Sequence, residues 1–92
     1  MRVYPVFVIL VYDAASKRDP KLLKLCRQYL TWVQNSVFEG ELTEVAYRML
    51  KYEIKALIER EEDSIIIYKF RTTKYMEREV IGVEKGLTGN IF

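Results

Sequence analysis

The sequence predicts an α+β fold in which one antiparallel sheet carries two helices on one face. Three observations support this prediction. An almost unbroken apolar run, Val3 to Tyr12, has the length and the Val, Ile, Tyr and Phe content of a buried central strand. Two amphipathic segments with helical spacing follow, and a strand-like segment comes after each of them. The order strand, helix, strand or hairpin, helix, strand is that of a ferredoxin-like sandwich.

Length and composition favour one domain and exclude several kinds of active site. A chain of 92 residues that is 50% hydrophobic can bury one core and is predicted to form a single domain over residues 1–92. The sequence has no histidine, which excludes a Ser-His-Asp triad and the usual zinc sites. Its single cysteine, Cys26, lies among leucines and is predicted to be a core residue. With no signal-peptide pattern and no segment apolar enough to cross a bilayer, the expected location is cytoplasmic, away from membranes.

The first helix is predicted to begin at Asp19-Pro20, with Asp19 as the N-cap and Pro20 as the first helical residue. Residues 17–30 carry five positive charges and one negative charge. Lys17, Lys21 and Lys24 recur at helical spacing and predict a basic outer stripe. This distribution, more than the net charge of +2, indicates an electropositive face. A solvated helix surface is the alternative explanation.

The middle of the chain is predicted to be extended and then helical. Residues 31–42 contain strand formers around a polar interruption, and they form either one bent strand or two short paired strands. Thr43 is predicted to be the N-cap of a second helix over Glu44–Glu59. Leu42 and Tyr47 are placed for a hydrophobic staple at its start.

Two further strands are predicted near the C-terminus. Ser64–Phe70 is strongly apolar, Arg71–Lys74 forms a polar turn, and Met76–Val83 is a more polar strand. With both helices on one face of the sheet, the other face would expose apolar strand residues, which is an aggregation hazard. We therefore expect a homodimer that packs sheet against sheet. Residues 84–92 are expected to form a flexible tail or to reach across to the partner.

Candidate functional residues lie at the end of the first strand and in the basic segment after it. Asp13 directly follows the apolar run, so its carboxylate is held rigidly and still reaches solvent. A fixed carboxylate beside cations suits the handling of a phosphate backbone with a divalent metal, although a strand-end Asp can also cap a turn. Phe38 is a tentative base-stacking residue or a core residue, while Trp32 and Tyr12 are predicted to pack. The candidate phosphate contacts are Lys17, Arg18, Lys21, Lys24 and Arg27.

Three segments make the chain resemble a known family. In order, they are Val-Tyr-Asp at 11–13, Val-Gln-Asn-Ser-Val-Phe-Glu-Gly at 33–40 and Arg-Glu-Val-Ile-Gly-Val-Glu-Lys-Gly at 78–86. Over nearly its whole length the chain is similar to the small CRISPR-associated endonucleases that partner the integrase during spacer acquisition. The chain departs from the family pattern at Trp32, where many members carry arginine. It also departs at Asp19-Pro20, where the loop is often arginine-rich.

The resemblance implies a ferredoxin-like homodimer in which the strand-end aspartate of each protomer contributes to one divalent-metal site. Asp13 would then be the metal ligand and the catalytic residue, with Mg²⁺ as cofactor or Mn²⁺ in its place. One carboxylate is a poor site for Mg²⁺, which takes about six oxygen ligands, whereas two Asp13 side chains with waters and a phosphate oxygen would suffice. The implied function in spacer acquisition is metal-dependent cleavage of RNA or DNA, binding of duplex DNA between integrase dimers, or both.

Other functions remain open from the sequence. A toxin-like ribonuclease of the VapD type shares the small fold and the strand-end aspartate, and a catalytically silent DNA scaffold would keep the same surface. The segments at 33–40 and 78–86 favour the CRISPR-associated functions over the toxin-like one. A ligand-binding ferredoxin-like domain has no ligand signature in the sequence to support it.

Overall fold

The computed structural model describes residues 5–72 and 75–83 of the chain. In this part of the chain, strands and helices follow one another in the predicted order. Their bounds are β1 Val6–Asp13, α1 Asp19–Arg27, β2 Thr31–Gln34, β3 Val37–Leu42, α2 Glu44–Leu57, β4 Ser64–Thr72 and β5 Tyr75–Gly82. Neither α1 nor α2 is long and apolar enough to cross a membrane.

The strands form one sheet in the order β2-β3-β1-β4-β5. Every neighbouring pair is antiparallel, with β1 between β3 and β4. The prediction that the N-terminal apolar run is a central strand is therefore confirmed. The α+β ferredoxin-like fold is confirmed as well, with β5 as an additional edge strand.

One hydrophobic core joins both helices to the same face of the sheet. Alternate residues of β1 are buried, as expected for a strand with side chains on two faces. The core residues include Val8 and Leu10 from β1, Leu22 and Cys26 from α1, and Leu50 and Ile54 from α2. The predicted burial of Cys26 is confirmed, and this burial raises the pKa of its thiol to about 12, so the thiolate that a nucleophile requires is disfavoured.

The start of α1 differs from the prediction by one residue. Arg18 occupies the N-cap position without a side-chain capping bond, and Asp19 is already helical. The carbonyl oxygen of Arg18 accepts the N–H of Leu22 at 3.0 Å, which places the first helical turn one residue earlier than Asp19-Pro20 implied. Lys17 consequently lies in the turn before the helix, not on its basic stripe.

The extended segment over 31–42 consists of two strands that form a hairpin. Trp32 pairs with Phe38 and Gln34 with Val37, with an irregularity in register between the two pairs. Asn35 has a φ of 49° in the connecting turn, a left-handed conformation that asparagine tolerates better than most residues. The structure therefore selects the paired-strand alternative.

The predicted cap of the second helix is confirmed. The Oγ1 atom of Thr43 accepts the N–H of Ala46 at 3.0 Å, as the capping arrangement requires. The helix ends at Leu57, before the predicted end at Glu59. It ends early because Ile58 is extended and the N–H of Glu59 donates instead to the carboxylate of Asp63, at 2.9 Å.

β4 and β5 both extend further than predicted toward the loop that joins them. β4 extends to Thr72, so the predicted polar turn over Arg71–Lys74 is wrong for its first two residues, because Thr72 still pairs with Tyr75. The rest of that turn lies outside the described residues, as do Val3 at the start of the apolar run and the tail at 84–92. β5 agrees with the predicted Met76–Val83 to within one residue at each end.

Candidate active site at the Asp13 edge

Asp13 lies at one edge of the sheet, where β1 ends. It pairs with Ser64 at the start of β4, and Ser64 pairs in turn with Gly82 at the end of β5. The turn between β2 and β3 reaches the same edge, since the carbonyl of Ser36 accepts the N–H of Tyr12 at 3.1 Å. We call this group of chain ends the Asp13 edge. Pairing with Ser64 in β4 holds the backbone of Asp13, and the side chain of Asp13 is exposed, as predicted.

The side chain of Asp13 lies on the face of the sheet opposite the helices. Alternation along β1 places Phe7, Ile9 and Val11 on that face together with Asp13, while Tyr12 points toward the helices. The cations of α1 therefore lie on the other side of the sheet from the carboxylate. Asp13 and the basic helix are close in sequence, but in the structure the sheet lies between the Asp13 side chain and the cations of α1.

Asp63 is the buried carboxylate behind this edge. Its side chain is 0% exposed and accepts the N–H groups of Ala15 and Glu59, each at 2.9 Å. Arg18 donates to it from Nε at 2.5 Å and from Nη2 at 3.2 Å. These bonds join the loop after Asp13 to the end of α2 and the start of β4. We call the four residues Asp63, Arg18, Ala15 and Glu59 the Asp63 anchor.

The electrostatics of the anchor favour the ionised form of Asp63. Hydrogen bonds from Arg18, with smaller contributions from the backbone N–H groups, lower the pKa of Asp63 to about 2 against the opposing effect of burial. Hydrogen bonds to Asp63 and then to Glu62 raise the pKa of Arg18. The pair is therefore charged at neutral pH, and each charge has a partner in place of water.

Gly82 completes the packing around Asp63 from β5. It has a φ of 91°, and a Cβ built on it would lie 2.1 Å from the carbonyl oxygen of Asp63. The next residue, Val83, donates its N–H to that same oxygen at 2.9 Å. A glycine is needed here both for the left-handed backbone and for the close approach of the two chains.

Two of the predicted nucleic-acid-binding residues have other roles in the structure. Arg18 has only 13% of its side chain exposed and forms ion pairs with Asp63 and Glu62, so its guanidinium is engaged within the chain. Phe38 is 0% exposed and its ring stacks against Tyr12 at a centroid distance of 6.1 Å. With no exposed ring face it is a core residue, and the tentative base-stacking role does not hold.

The other four basic candidates, Lys17, Lys21, Lys24 and Arg27, are exposed. Lys21 and Lys24 line a groove between α1 and α2, whereas Arg27 lines a cavity that also contains Trp32. Lys17 lines neither of these two features, so the four exposed cations do not form one continuous stripe.

Tyr12 and Trp32, both expected to pack, behave differently. Tyr12 is buried, and its hydroxyl donates to Oδ1 of Asp19 at 2.7 Å. Burial, followed by this bond to Asp19, raises the pKa of Tyr12. Trp32 is 46% exposed, so the expected packing leaves about half of the residue at the surface. It lies on β2, which is an edge strand of the sheet that the described residues form.

The described residues of one chain do not assemble a metal-ligand cluster of three or more Asp, Glu, Cys or His side chains. The carboxylate of Asp13 has the donor chemistry that Mg²⁺ prefers, but the described residues of one protomer do not complete a ligand set at this edge. A divalent ion here would need a second contributor.

Comparison with known proteins identifies similar chains. A family model described as "CRISPR associated protein Cas2" matches residues 6–78. A protein of Dictyoglomus turgidum named CRISPR-associated endoribonuclease Cas2 is 54% identical over 87% of this chain and 92% of its own length. A protein of the same name from Thermotoga maritima is 49% identical over 95% of this chain and 100% of its own length.

A solved structure described as "Crystal structure of cas2" has a similar fold. It superposes with a TM-score of 0.71 at 38% sequence identity, covering 89% of this chain and 92% of that one. The similarity therefore extends over most of the chain.

Proposed function

Because the chain belongs to the Cas2 family of CRISPR-associated proteins, we propose that it is an endonuclease that hydrolyses phosphodiester bonds of RNA or DNA, with Asp13 as its catalytic residue. The observation that carries this proposal is the position of Asp13, an exposed carboxylate at the end of the central strand. The backbone on its two sides is held, before it by the bond from Tyr12 to Ser36 and after it by the bond from Ala15 to Asp63. A rigid support of this kind is what a catalytic group requires.

Asp13 would act by holding a divalent ion together with Asp13 of a second protomer. A bound Mg²⁺ or Mn²⁺ would lower the pKa of a water molecule and neutralise charge that develops on the phosphate. The chain's own contribution would be to present the two carboxylates and to fix their backbone. Without the ion, the two Asp13 carboxylates would repel one another, and a bound cation would offset this repulsion.

The open face of the sheet supports the proposed homodimer. This face carries apolar side chains that the helices do not cover, among them Phe7, 37% exposed, and Met76, 50% exposed. Phe7 and Phe70 contact one another across it, with ring centroids 6.2 Å apart. An apolar sheet face of this kind favours burial against a second copy. Since Asp13 lies on the same face, pairing of two sheets would bring the two carboxylates to the interface side.

We further propose that the protein acts in spacer acquisition, in the cytoplasm, as a partner of the integrase dimer that binds duplex DNA. The exposed cations Lys17, Lys21 and Lys24 support phosphate contact of the kind that does not depend on base sequence. Membership of a CRISPR-associated family favours this setting over a VapD-type toxin. A DNA scaffold that does not cut is the second candidate, because the same cations would serve either role.

The test compares the wild type with Asp13→Asn on single-stranded RNA and on duplex DNA, with Mg²⁺ and with a chelator, after both proteins are shown to be dimers. We expect the substitution to lower the cleavage rate at least about 100-fold, because the amide removes the charge that the chemistry needs. Glu61→Gln is the matched control, since it neutralises an exposed carboxylate in the turn before β4.

Two outcomes would contradict parts of this proposal. Cleavage that continues in chelator would contradict the metal requirement. If neither the wild type nor Asp13→Asn cuts, while both bind duplex DNA equally, the scaffold function replaces the nuclease function.

A further inference from the structure

A cavity of about 550 Å³ lies between α1 and the turn that joins β2 to β3. Pockets of roughly 300 to 1,000 Å³ accept small organic ligands, so a nucleobase fits this volume. We call it the Trp32 cavity. Its lining residues include Tyr12, Asp19, Arg27, Trp32, Asn35 and Ser36.

The indole ring of Trp32 is exposed and at the same time held in place. The Nε1 atom donates to the carbonyl oxygen of Asn35 at 2.8 Å, while 46% of the residue is exposed. A bonded indole has lost part of its rotamer freedom already, so a ligand that stacks on it has less side-chain entropy to overcome. Exposure of a large aromatic surface is unfavourable until something covers it.

The polar groups around the cavity complement a nucleotide. Arg27 extends from the last turn of α1 and supplies a guanidinium for a phosphate. The carboxylate of Asp19 accepts the hydroxyl of Tyr12 at 2.7 Å, which fixes its orientation at the cavity wall. A carboxylate accepts hydrogen bonds from the exocyclic amino groups of bases. The indole of Trp32 would thus contact the face of a base, the guanidinium of Arg27 a phosphate, and the carboxylate of Asp19 the edge of the base.

The cavity is close to Asp13 along the chain but opens on the other face of the sheet. Trp32 pairs with the buried Phe38 and shares its face, whereas the side chain of Asp13 lies on the opposite one. Tyr12 lines the cavity and immediately precedes Asp13. Tyr12 therefore connects the cavity wall to the Asp13 edge.

We propose that the Trp32 cavity binds one unpaired base of a single-stranded RNA by stacking on the indole of Trp32. This inference deepens the proposed function and rests on it for the class of substrate. Stacking needs a base whose face is accessible, which a duplex does not offer along its length. The cavity thus selects single strands over duplexes.

The chain has a single tryptophan, so its intrinsic fluorescence reports this site directly. The experiment titrates full-length Asp13→Asn protein, which keeps the RNA intact, with a short single-stranded RNA and with a duplex of the same sequence. We expect the single strand to quench the Trp32 emission and the duplex to leave it nearly unchanged.

Substitutions then measure the contribution of the ring with a fluorescently labelled single-stranded RNA. Trp32→Leu, which keeps an apolar side chain without a π-face, should weaken binding by about 5- to 150-fold, the equivalent of one base stacked on an aromatic ring. Trp32→Phe should retain most of the affinity. Tyr52→Ala is the control, because it removes an aromatic ring that is 72% exposed on α2 and outside the cavity.

The outcomes separate this inference from the proposed function. Equal affinity of wild type and Trp32→Leu, or equal quenching by single strand and duplex, would overturn the base-binding site while leaving cleavage by Asp13 intact. Loss of affinity in Trp32→Leu with retained affinity in Tyr52→Ala supports the site even if the cleavage assay shows no activity. Circular dichroism of each variant confirms that the fold is kept.

Discussion

Two carboxylates lie one residue apart in register at the same edge of the sheet, and their surroundings are opposite. Asp13 pairs with Ser64, whose neighbour in sequence is Asp63. Asp13 is exposed, whereas Asp63 is 0% exposed and accepts hydrogen bonds from two backbone N–H groups and from Arg18. The buried Asp63 thus fixes the loop, and the exposed Asp13 consequently faces solvent in a defined position.

The same contrast extends to the aromatic residues of this edge. Tyr12 and Phe38 stack inside the core, while Trp32 presents its ring at the surface. We call the buried groups, the Asp63 anchor and the Tyr12–Phe38 stack, the rigid side of this edge. We call the exposed groups, Asp13 and the Trp32 cavity, its open side, although they lie on opposite faces of the sheet. The exposed groups keep a defined position because the backbone beside them is already hydrogen-bonded.

The largest expected effect comes from removing the anchoring carboxylate. Asp63→Ala should lower the free energy of unfolding by about 3 to 5 kcal/mol, because it leaves a buried cation and two backbone N–H groups without their acceptor. Chemical denaturation measures this difference. Asp63→Asn, which keeps an acceptor but not the charge, should show a smaller loss and provides a folded variant if Asp63→Ala does not fold.

Asp13→Asn is the matched control for the anchor. It alters a carboxylate at the same edge, but the exposed side chain interacts in a solvent-screened environment worth at most about 1 kcal/mol. A loss of several kcal/mol in Asp13→Asn, or none in Asp63→Ala, would remove the distinction between the rigid and open sides.

The next effect in size is a dependence of stability on pH that belongs to Asp63. The pKa of this carboxyl is about 2 in the folded chain against an ordinary value of 3.8. A lowered pKa stabilises the fold at pH values above 3.8, and this contribution is lost as the pH falls through about 2. It amounts to at most about 2 kcal/mol, since water beside the exposed Glu62 screens part of the network.

The measurement compares wild type with Asp63→Asn across this acid range. Other carboxyls titrate in both proteins, so the difference between their unfolding free energies isolates Asp63. That difference should shrink only on the acid side of 3.8. A difference that stays constant to the lowest pH would show that the charge of Asp63 contributes nothing beyond its hydrogen bonds.

The open side could be predicted in part from the sequence because its signals are local. The apolar run before Asp13 places it at a strand end, and the Thr43 cap is equally local, since its partner Ala46 is three residues away. Strand and helix periodicities predicted β1, both helices, β4 and β5, whereas residues 31–42 were open to one bent strand or two paired strands. These features depend on neighbours in sequence.

The rigid side could not be predicted in the same way. Arg18 and Asp63 are separated by 45 residues, and no local pattern joins them. Arg18 therefore had the same appearance in the sequence as the exposed lysines near it. Phe38 and Trp32 are both aromatic strand residues, and their burial depends on the position of β3 inside the sheet and of β2 at its edge. Glu62 and Asp63 stand directly before a predicted strand, but their position in the sequence does not indicate Arg18 as their partner.

The smallest effect concerns Tyr12, which belongs to both sides of the comparison. Its ring is part of the core, while its hydroxyl donates to Asp19 at the wall of the Trp32 cavity. Tyr12→Phe should lower the free energy of unfolding by about 0.5 to 1.5 kcal/mol, as expected for one hydrogen bond whose acceptor, Asp19, stays accessible to water. Denaturation of the two proteins at neutral pH measures this. A loss above about 3 kcal/mol would mean that the hydroxyl supports the core itself. The boundary between the rigid and open sides would then lie at Asp19, in the first turn of α1, and the wall of the Trp32 cavity would belong to the rigid side.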